Sequence, residues 1–227
     1  MKIPAMLAAL LALAVTPARA TNNHEYAKGE YAIISDGLAP NQRLSLASHG
    51  EGEFGTDNFH VWLMAEPAHR KIAALDDISS NNNLDTGPAA YHARWWADSR
   101  HVAVSFRSDR HALQLNLYQI ENRRAHLVSG PSLFRDVTSR DVNRHENLRT
   151  STSEINWMGP DRFRLSEHRL FKASDAGFMR MLGRFGKIGD RLDDGAFFAE
   201  FSAEADCVLI SGNRYRIVDL RVGKFGE

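Results

Sequence analysis

The sequence holds a single cysteine, Cys207, so no disulfide can form within the chain and its stability must come from a packed core. It lacks an apolar run long enough for a membrane-spanning helix, which needs ~20 residues. The one pronounced run, Met6 to Val15, has ten. It also lacks any excess of charge, with 28 basic residues against 28 acidic ones. That balance argues against an electrostatic grip on nucleic acid or on an anionic bilayer. No G-x-S-x-G nucleophile elbow is present.

What the N-terminus does contain is the three-part pattern of a secretory leader. Lys2 supplies a positive charge, Met6 to Val15 an apolar centre, and Ala18-Arg19-Ala20 a small-x-small ending. Cleavage is expected after Ala20, which leaves a mature chain of 207 residues, 21–227, with 26 basic and 28 acidic side chains. No cysteine follows the cleavage point to take a lipid anchor. These features predict a periplasmic or secreted protein with no transmembrane segment. A length of this order suffices for one domain with a real core.

Alternation dominates the mature chain. In Leu113-Gln114-Leu115-Asn116-Leu117 the leucines share one face and the amides the other, as a half-buried strand requires. Val102, Val104 and Phe106 repeat the pattern upstream, and Arg107-Ser108-Asp109-Arg110 reads as the turn of a hairpin over 101–119. Near the C-terminus, Cys207 to Ser211 and Arg214 to Leu220 flank Gly212-Asn213, a two-residue hairpin turn. Cys207 within Cys207-Val208-Leu209-Ile210 reads as a small buried residue of a strand. Two stretches look irregular. Ser79 to Pro88 is a loop by composition, and 135–153 reads as a solvated connector or a short helix through Phe134, Val137 and Val142. The expected fold class is all-β, built from antiparallel hairpins.

A degenerate repeat runs through those hairpins. Trp95-Trp96-Ala97-Asp98-Ser99-Arg100-His101-Val102-Ala103-Val104 resembles the W-S-P-D-G-R-x-L-A-V signature of WD-like β-propeller repeats of the TolB type. Trp95, Asp98, Arg100, Val102 and Ala103 carry the match, and Ser99 stands where glycine is usual. Leu38 to Leu44 keeps the proline and arginine; Trp157 to Phe163 keeps Trp157, Pro160 and Asp161. Phe201 to Asp206 keeps the ring and the spacing. Each unit precedes a second alternating segment: Phe59 to Met64, Leu113 to Tyr118, Phe178 to Leu182, and Tyr215 to Leu220. The resemblance implies a small or open propeller-like arrangement, with a β-sandwich or barrel as the alternative. It further implies a protein-interaction scaffold.

Three motif-like strings fail on their chemistry. Gly50-Glu51-Gly52-Glu53-Phe54-Gly55 spells a dinucleotide loop, but its acids repel phosphate and no helix follows, so the glycines serve a hairpin loop. His145-Glu146-Asn147-Leu148-Arg149 lacks the second histidine of a zinc site. Asn81, Asn83 and Asp85 resemble a calcium loop with its glycine displaced and His92 where a glutamate belongs. No cofactor, metal or catalytic residue is expected. The surface most suited to a partner is the acidic loop Glu51, Glu53 and Asp57 with His49 and His60 beside it. The functional expectation is therefore an exported, non-catalytic binding protein with a protein partner in the envelope. An envelope hydrolase whose site is assembled only by folding is the alternative.

Overall fold

Side chains two residues apart share one face of a strand, and the alternating segments accordingly pair into sheets. A computed structural model describes residues 21–110, 112–141, 151–173, 176–210 and 214–226. The leader, the Gly212-Asn213 turn and the His145 segment lie outside the described residues.

Strands β1 (Ala32–Leu38), β2 (Leu44–Glu51), β3 (Asp57–Ala65) and β4 (Arg70–Ser79) form an antiparallel meander. A second meander follows from β5 (His92–Trp95), β6 (His101–Asp109), β7 (Ala112–Glu121) and β8 (Arg124–Ser129). The two join through one parallel pairing, Ser35 of β1 with His92 of β5, in the order β4-β3-β2-β1-β5-β6-β7-β8. The outer strands β4 and β8 then meet, so the sheet is nearly a closed barrel. Tyr118 of β7 spans the seam by donating its hydroxyl to the Asp76 carbonyl of β4 at 2.6 Å.

The barrel interior takes every second residue: Phe59, Val61 and Leu63 from β3, and Val102, Val104 and Phe106 from β6. At its centre the rings of Phe59, Tyr91 and Phe106 stack in sequence, with centroids 5.6 and 5.9 Å apart. The chain before β1 packs onto the barrel beside the 85–87 loop. Asn22 N–H donates to Asp85, and the Asn22 carbonyl accepts from the N–H groups of Thr86 and Gly87. A Cβ on Gly87 would stand 2.4 Å from the Asn22 side chain, so only glycine permits this approach.

A second sheet contains β9 (Thr152–Trp157), β10 (Arg162–Ala173), β11 (Gly186–Arg191), β12 (Phe197–Ile210) and β13 (Arg214–Val222). Its order is β11-β12-β10-β9, with β13 pairing the far half of β12. This sheet lies over the outer face of the barrel. Ala103, Leu115, Leu117 and Val128 of the barrel meet Phe163, Leu165, Phe201 and Ala205 in a second core. Two short helices, α1 (Leu133–Thr138) and α2 (Ala176–Leu182), fill the remaining gap with Leu133, Phe134, Met179 and Leu182. Ser132 caps α1 by accepting from Arg135 N–H. On the solvent face, Asp206 is gripped by Arg164 at 2.8 Å and Arg221 at 3.2 Å. The two guanidiniums hold its carboxyl down at about 2.

The all-β, antiparallel reading is what the structure shows, with the barrel and sandwich as its architecture. Its eight-stranded ladder is continuous rather than divided into four-stranded blades. The resembling turns have a definite place in it. Asn41 and Asp98 sit at equivalent tips of the two meanders, each accepting from the N–H two residues on, at 2.8 and 2.7 Å. The following residues, Gln42 and Ser99, take φ of 56° and 58°, the left-handed conformation that favours glycine at this position. The parallel pairing of β1 and β5 brings the tips together, and Asn41 N–H donates to Ser99 Oγ at 3.0 Å.

Three expectations are corrected. Phe178 to Leu182 is helical within α2, not a strand: Met179 and Leu182, three apart, are buried while Met181 is exposed. The hairpin strand β6 continues through Arg107-Ser108-Asp109 instead of turning there. On β7 the amide face is not solvated, for Asn116 is fully buried and donates to Tyr118 Oη at 3.0 Å. In 135–153 the short-helix alternative is the one found, as α1 includes Phe134 and Val137, while Val142 lies outside the described residues.

Two tests follow from the two cores. Tyr91→Ala removes the central ring of the barrel stack and should destabilise the fold by about 3–5 kcal/mol in chemical denaturation. A loss below about 1 kcal/mol would show that the rings do not support one another. Cys207 is fully buried on β12, and burial pushes its thiol up to about 12. A thiol-reactive dye should therefore label Cys207 only as the protein unfolds, along the same denaturant curve; rapid labelling of the native chain would contradict that burial.

Candidate functional site

The second sheet stops at β9 and leaves part of the barrel's outer face uncovered. A step results, with β9 as its wall and the barrel as its floor. Inward residues of β5 and β6 fill the barrel, so His92, Arg94, Ala103 and Ser105 must face out, and these form the floor with Leu113 and Leu115 of β7. Residues 152–156 line the wall consecutively, as a strand does when it presents its backbone edge. This cavity is about 300 Å³. It adjoins one of about 440 Å³ through Leu113, Leu115 and Ser153, and another of about 350 Å³ through His92, Ser105 and Leu113. Together they make one groove running from the seam of the barrel to the 85–87 loop.

At the seam end the groove is strongly polar. Arg135, Arg169, Ser132 and Asn116 line it, with Asp77 and Asp141. The cations there are held in place. Arg135 donates to the Gly130 carbonyl at 2.7 Å. Arg169 pairs with Glu167, a carboxylate only 2 % exposed. Glu167 also accepts from Ser132 Oγ and from Phe134 N–H, both at 3.2 Å, so it ties α1 to β10 beneath the groove. Where β9 ends, Trp157 donates its indole N–H to the Arg94 carbonyl at 2.8 Å and closes the step. Between the two ends one group stands out. Ser153 is 9 % exposed, lines two of the three cavities, and its hydroxyl has no partner among the described residues. The oxygen itself has almost no accessible surface, so the missing hydrogen bond is a cost to the fold, and Ser153 borders the groove without offering its hydroxyl to it.

The residues singled out in the sequence lie elsewhere. His49, Glu51, Glu53, Asp57 and His60 all fall on the β2–β3 hairpin, where His49 faces His60 and Glu51 faces Asp57 across the ladder. Their side chains are engaged locally. The His49 ring stacks on Tyr31 at 4.5 Å, and its Nδ1 meets the Glu30 carbonyl. His60 lies edge-on to Trp62 at 5.3 Å, and Glu51 accepts from Asn58 at 3.0 Å. The glycines between them make a tight loop: Gly55 takes φ +64° against the Tyr26 ring. Among the described residues no group of three or more metal-ligating side chains converges. In the Asn81 to Gly87 loop, Asn82 Oδ1 accepts from Ser79 N–H at 2.9 Å and Asp85 accepts from Asn22 N–H.

One other cluster has the ingredients of acid–base chemistry. On the solvent face of the second sheet, His168 Nε2 meets Glu200 Oε1 at 2.7 Å, with Ser202 directly opposite His168 on β12. A shallow cavity of about 220 Å³ includes His168, Ser166, Ser202 and Thr152. The Ser202 hydroxyl, however, donates to the Lys224 carbonyl at 2.6 Å and is not directed at the histidine.

Sequence reasoning passed over Ser153, Arg169 and Glu167. Glu167 did carry a signal, since it continues the phase of Phe163 and Leu165, where an apolar residue is expected. Replacing it tests its role as tether: Glu167→Ala strands the Arg169 guanidinium and should cost about 3–5 kcal/mol of stability. A thermal or denaturant midpoint unchanged from wild type would show that α1 is held by its apolar contacts alone. Compared with known proteins, the chain matches no protein-family model, no curated protein and no solved structure, and the groove stands on its own geometry.

Proposed function

We propose that this chain is an exported, non-catalytic binding protein whose partner docks in the groove between β9 and the barrel. The carrying observation is the edge of β9 bordering the barrel floor in a groove whose charged walls are fixed by internal bonds. Fixed donors and acceptors around an unfilled hydrogen-bonding site favour recognition, because little order must be created on binding. Export rests on the leader pattern of residues 1–20, and places the partner in the periplasm or outside the cell. The turns resembling propeller repeats fit a scaffold role of the same kind.

The experiment is site-specific photo-crosslinking in envelope extract, with the photoreactive residue at Ser105 on the groove floor or at Glu53 on the β2–β3 loop. A discrete adduct from Ser105 alone is the expected result. An adduct from Glu53 alone moves the binding surface to the acidic hairpin and overturns the groove.

A second reading, an envelope hydrolase, has the His168–Glu200 pair in its favour. Turnover of an ester, peptide or glycan substrate that His168→Ala reduces more than a hundredfold, with the fold retained, would establish it over the binding reading.

A further inference from the structure

Sheet edges expose rows of unpaired N–H and C=O groups, and folded proteins normally blunt them with bulges, charges or coverage. The described edges here follow that rule with one exception. On β13 the register shifts between Asp206 and Cys207, leaving Val218 as a bulge, and Arg214, Arg216 and Arg221 line the strand. On β11 the register shifts between Ile188 and Arg191, next to Lys187. Strands β4 and β8 face each other across the barrel seam. Strand β9 has no bulge, no lysine, no arginine and no proline, carries Glu154 as its one charge, and pairs β10 in unbroken register from Thr152 to Trp157. No strand is hydrogen-bonded to its other edge among the described residues.

The direction of each backbone group on β9 can be worked out. Met158 N–H donates to the Arg162 carbonyl, and 158 lies opposite 162 in the β9–β10 register. In an antiparallel ladder hydrogen-bonded and non-bonded pairs alternate. Thr152, Glu154 and Asn156 therefore turn their backbone groups to β10. Ser153, Ile155 and Trp157 turn theirs to the groove.

Resting on the groove as the binding site, we infer that its occupant is an extended segment of another polypeptide, which adds to β9 as a further strand. An added strand lies ~4.8 Å beyond β9 and continues the upper layer over the uncovered barrel floor. Six residues of β9 accommodate a segment of about six, since strands rise ~3.3 Å per residue. His92, Ser105 and Leu113, the floor residues that remain exposed or half-exposed, meet the side chains at alternate guest positions. A compact small molecule could not satisfy the three outward backbone pairs.

The test uses the full chain and a displayed library of random decapeptides. Selected peptides should slow amide exchange at Ser153, Ile155 and Trp157 at least tenfold and leave Thr152, Glu154 and Asn156 unchanged. Ser153→Pro removes an outward donor without breaking a bond to β10, and should weaken those peptides at least tenfold with the circular dichroism of the fold retained. Peptides that Leu113→Trp displaces but that do not produce the alternating protection would leave the groove as a binding site and overturn strand addition. A library yielding no binder, or binders protecting β11 or β13, also overturns strand addition, and crosslinking from Ser105 then decides the groove independently.

Discussion

The structure depends on the two-sided burial of β7. Leu115 and Leu117 point away from the barrel into the core shared with the second sheet, while Tyr118 and Ile120 point into the barrel. A strand buried on both faces is wall and floor at once, and it can be neither removed nor reversed without emptying a core. Fully burying side chains of this size contributes about 1.5–3 kcal/mol each, so these four residues hold the two layers in register. The polar atoms that share the strand must then be satisfied in place. Asn116 donates to Tyr118 Oη, and Tyr118 donates on to the Asp76 carbonyl across the seam.

That arrangement explains why a groove exists at all. The second sheet is anchored where β7 offers leucines, and it ends at β9, before β5 and the exposed part of β6 are covered. The outer face of the barrel changes character accordingly, from Leu115 and Ala103, buried under the second sheet, to Ser105, His92 and Arg94, which stay half-exposed or exposed. The walls are rigid for a separate reason: Glu167 is almost wholly buried, and its carboxylate is shared among Arg169, Ser132 and the α1 backbone. A buried carboxylate paired in this way fixes geometry more than it adds stability, because desolvation offsets most of the attraction.

Several polar side chains outside the groove serve the fold. On the β2–β3 hairpin His49 and His60 pack on rings and Glu51 holds Asn58, and the Asn81 to Gly87 loop anchors the chain that precedes β1. The resembling turns at Asn41 and Asp98 likewise have a structural task. They close equivalent ends of two meanders and hydrogen-bond to each other, because β1 and β5 run parallel.

Sequence alone determined the strand content, the hairpin of β12 and β13, the buried state of Cys207 and the loop nature of Gly52 to Gly55, while Gly50 and Glu51 end strand β2. All of these follow from side-chain period two and from glycine's access to positive φ, which are local properties. Where two periods coexist, as in Phe178 to Leu182, the local pattern was ambiguous, and packing against the second core selected the helix. The partnering of β1 with β5, the layering of the second sheet and the edge of β9 that no described strand pairs were decided by tertiary structure. Each depends on which apolar face meets which, across some sixty residues in the case of Ser35 and His92. Ser153 shows the limit most plainly: nothing in Thr152-Ser153-Glu154 distinguishes it, and only the barrel beside it buries its hydroxyl without a partner.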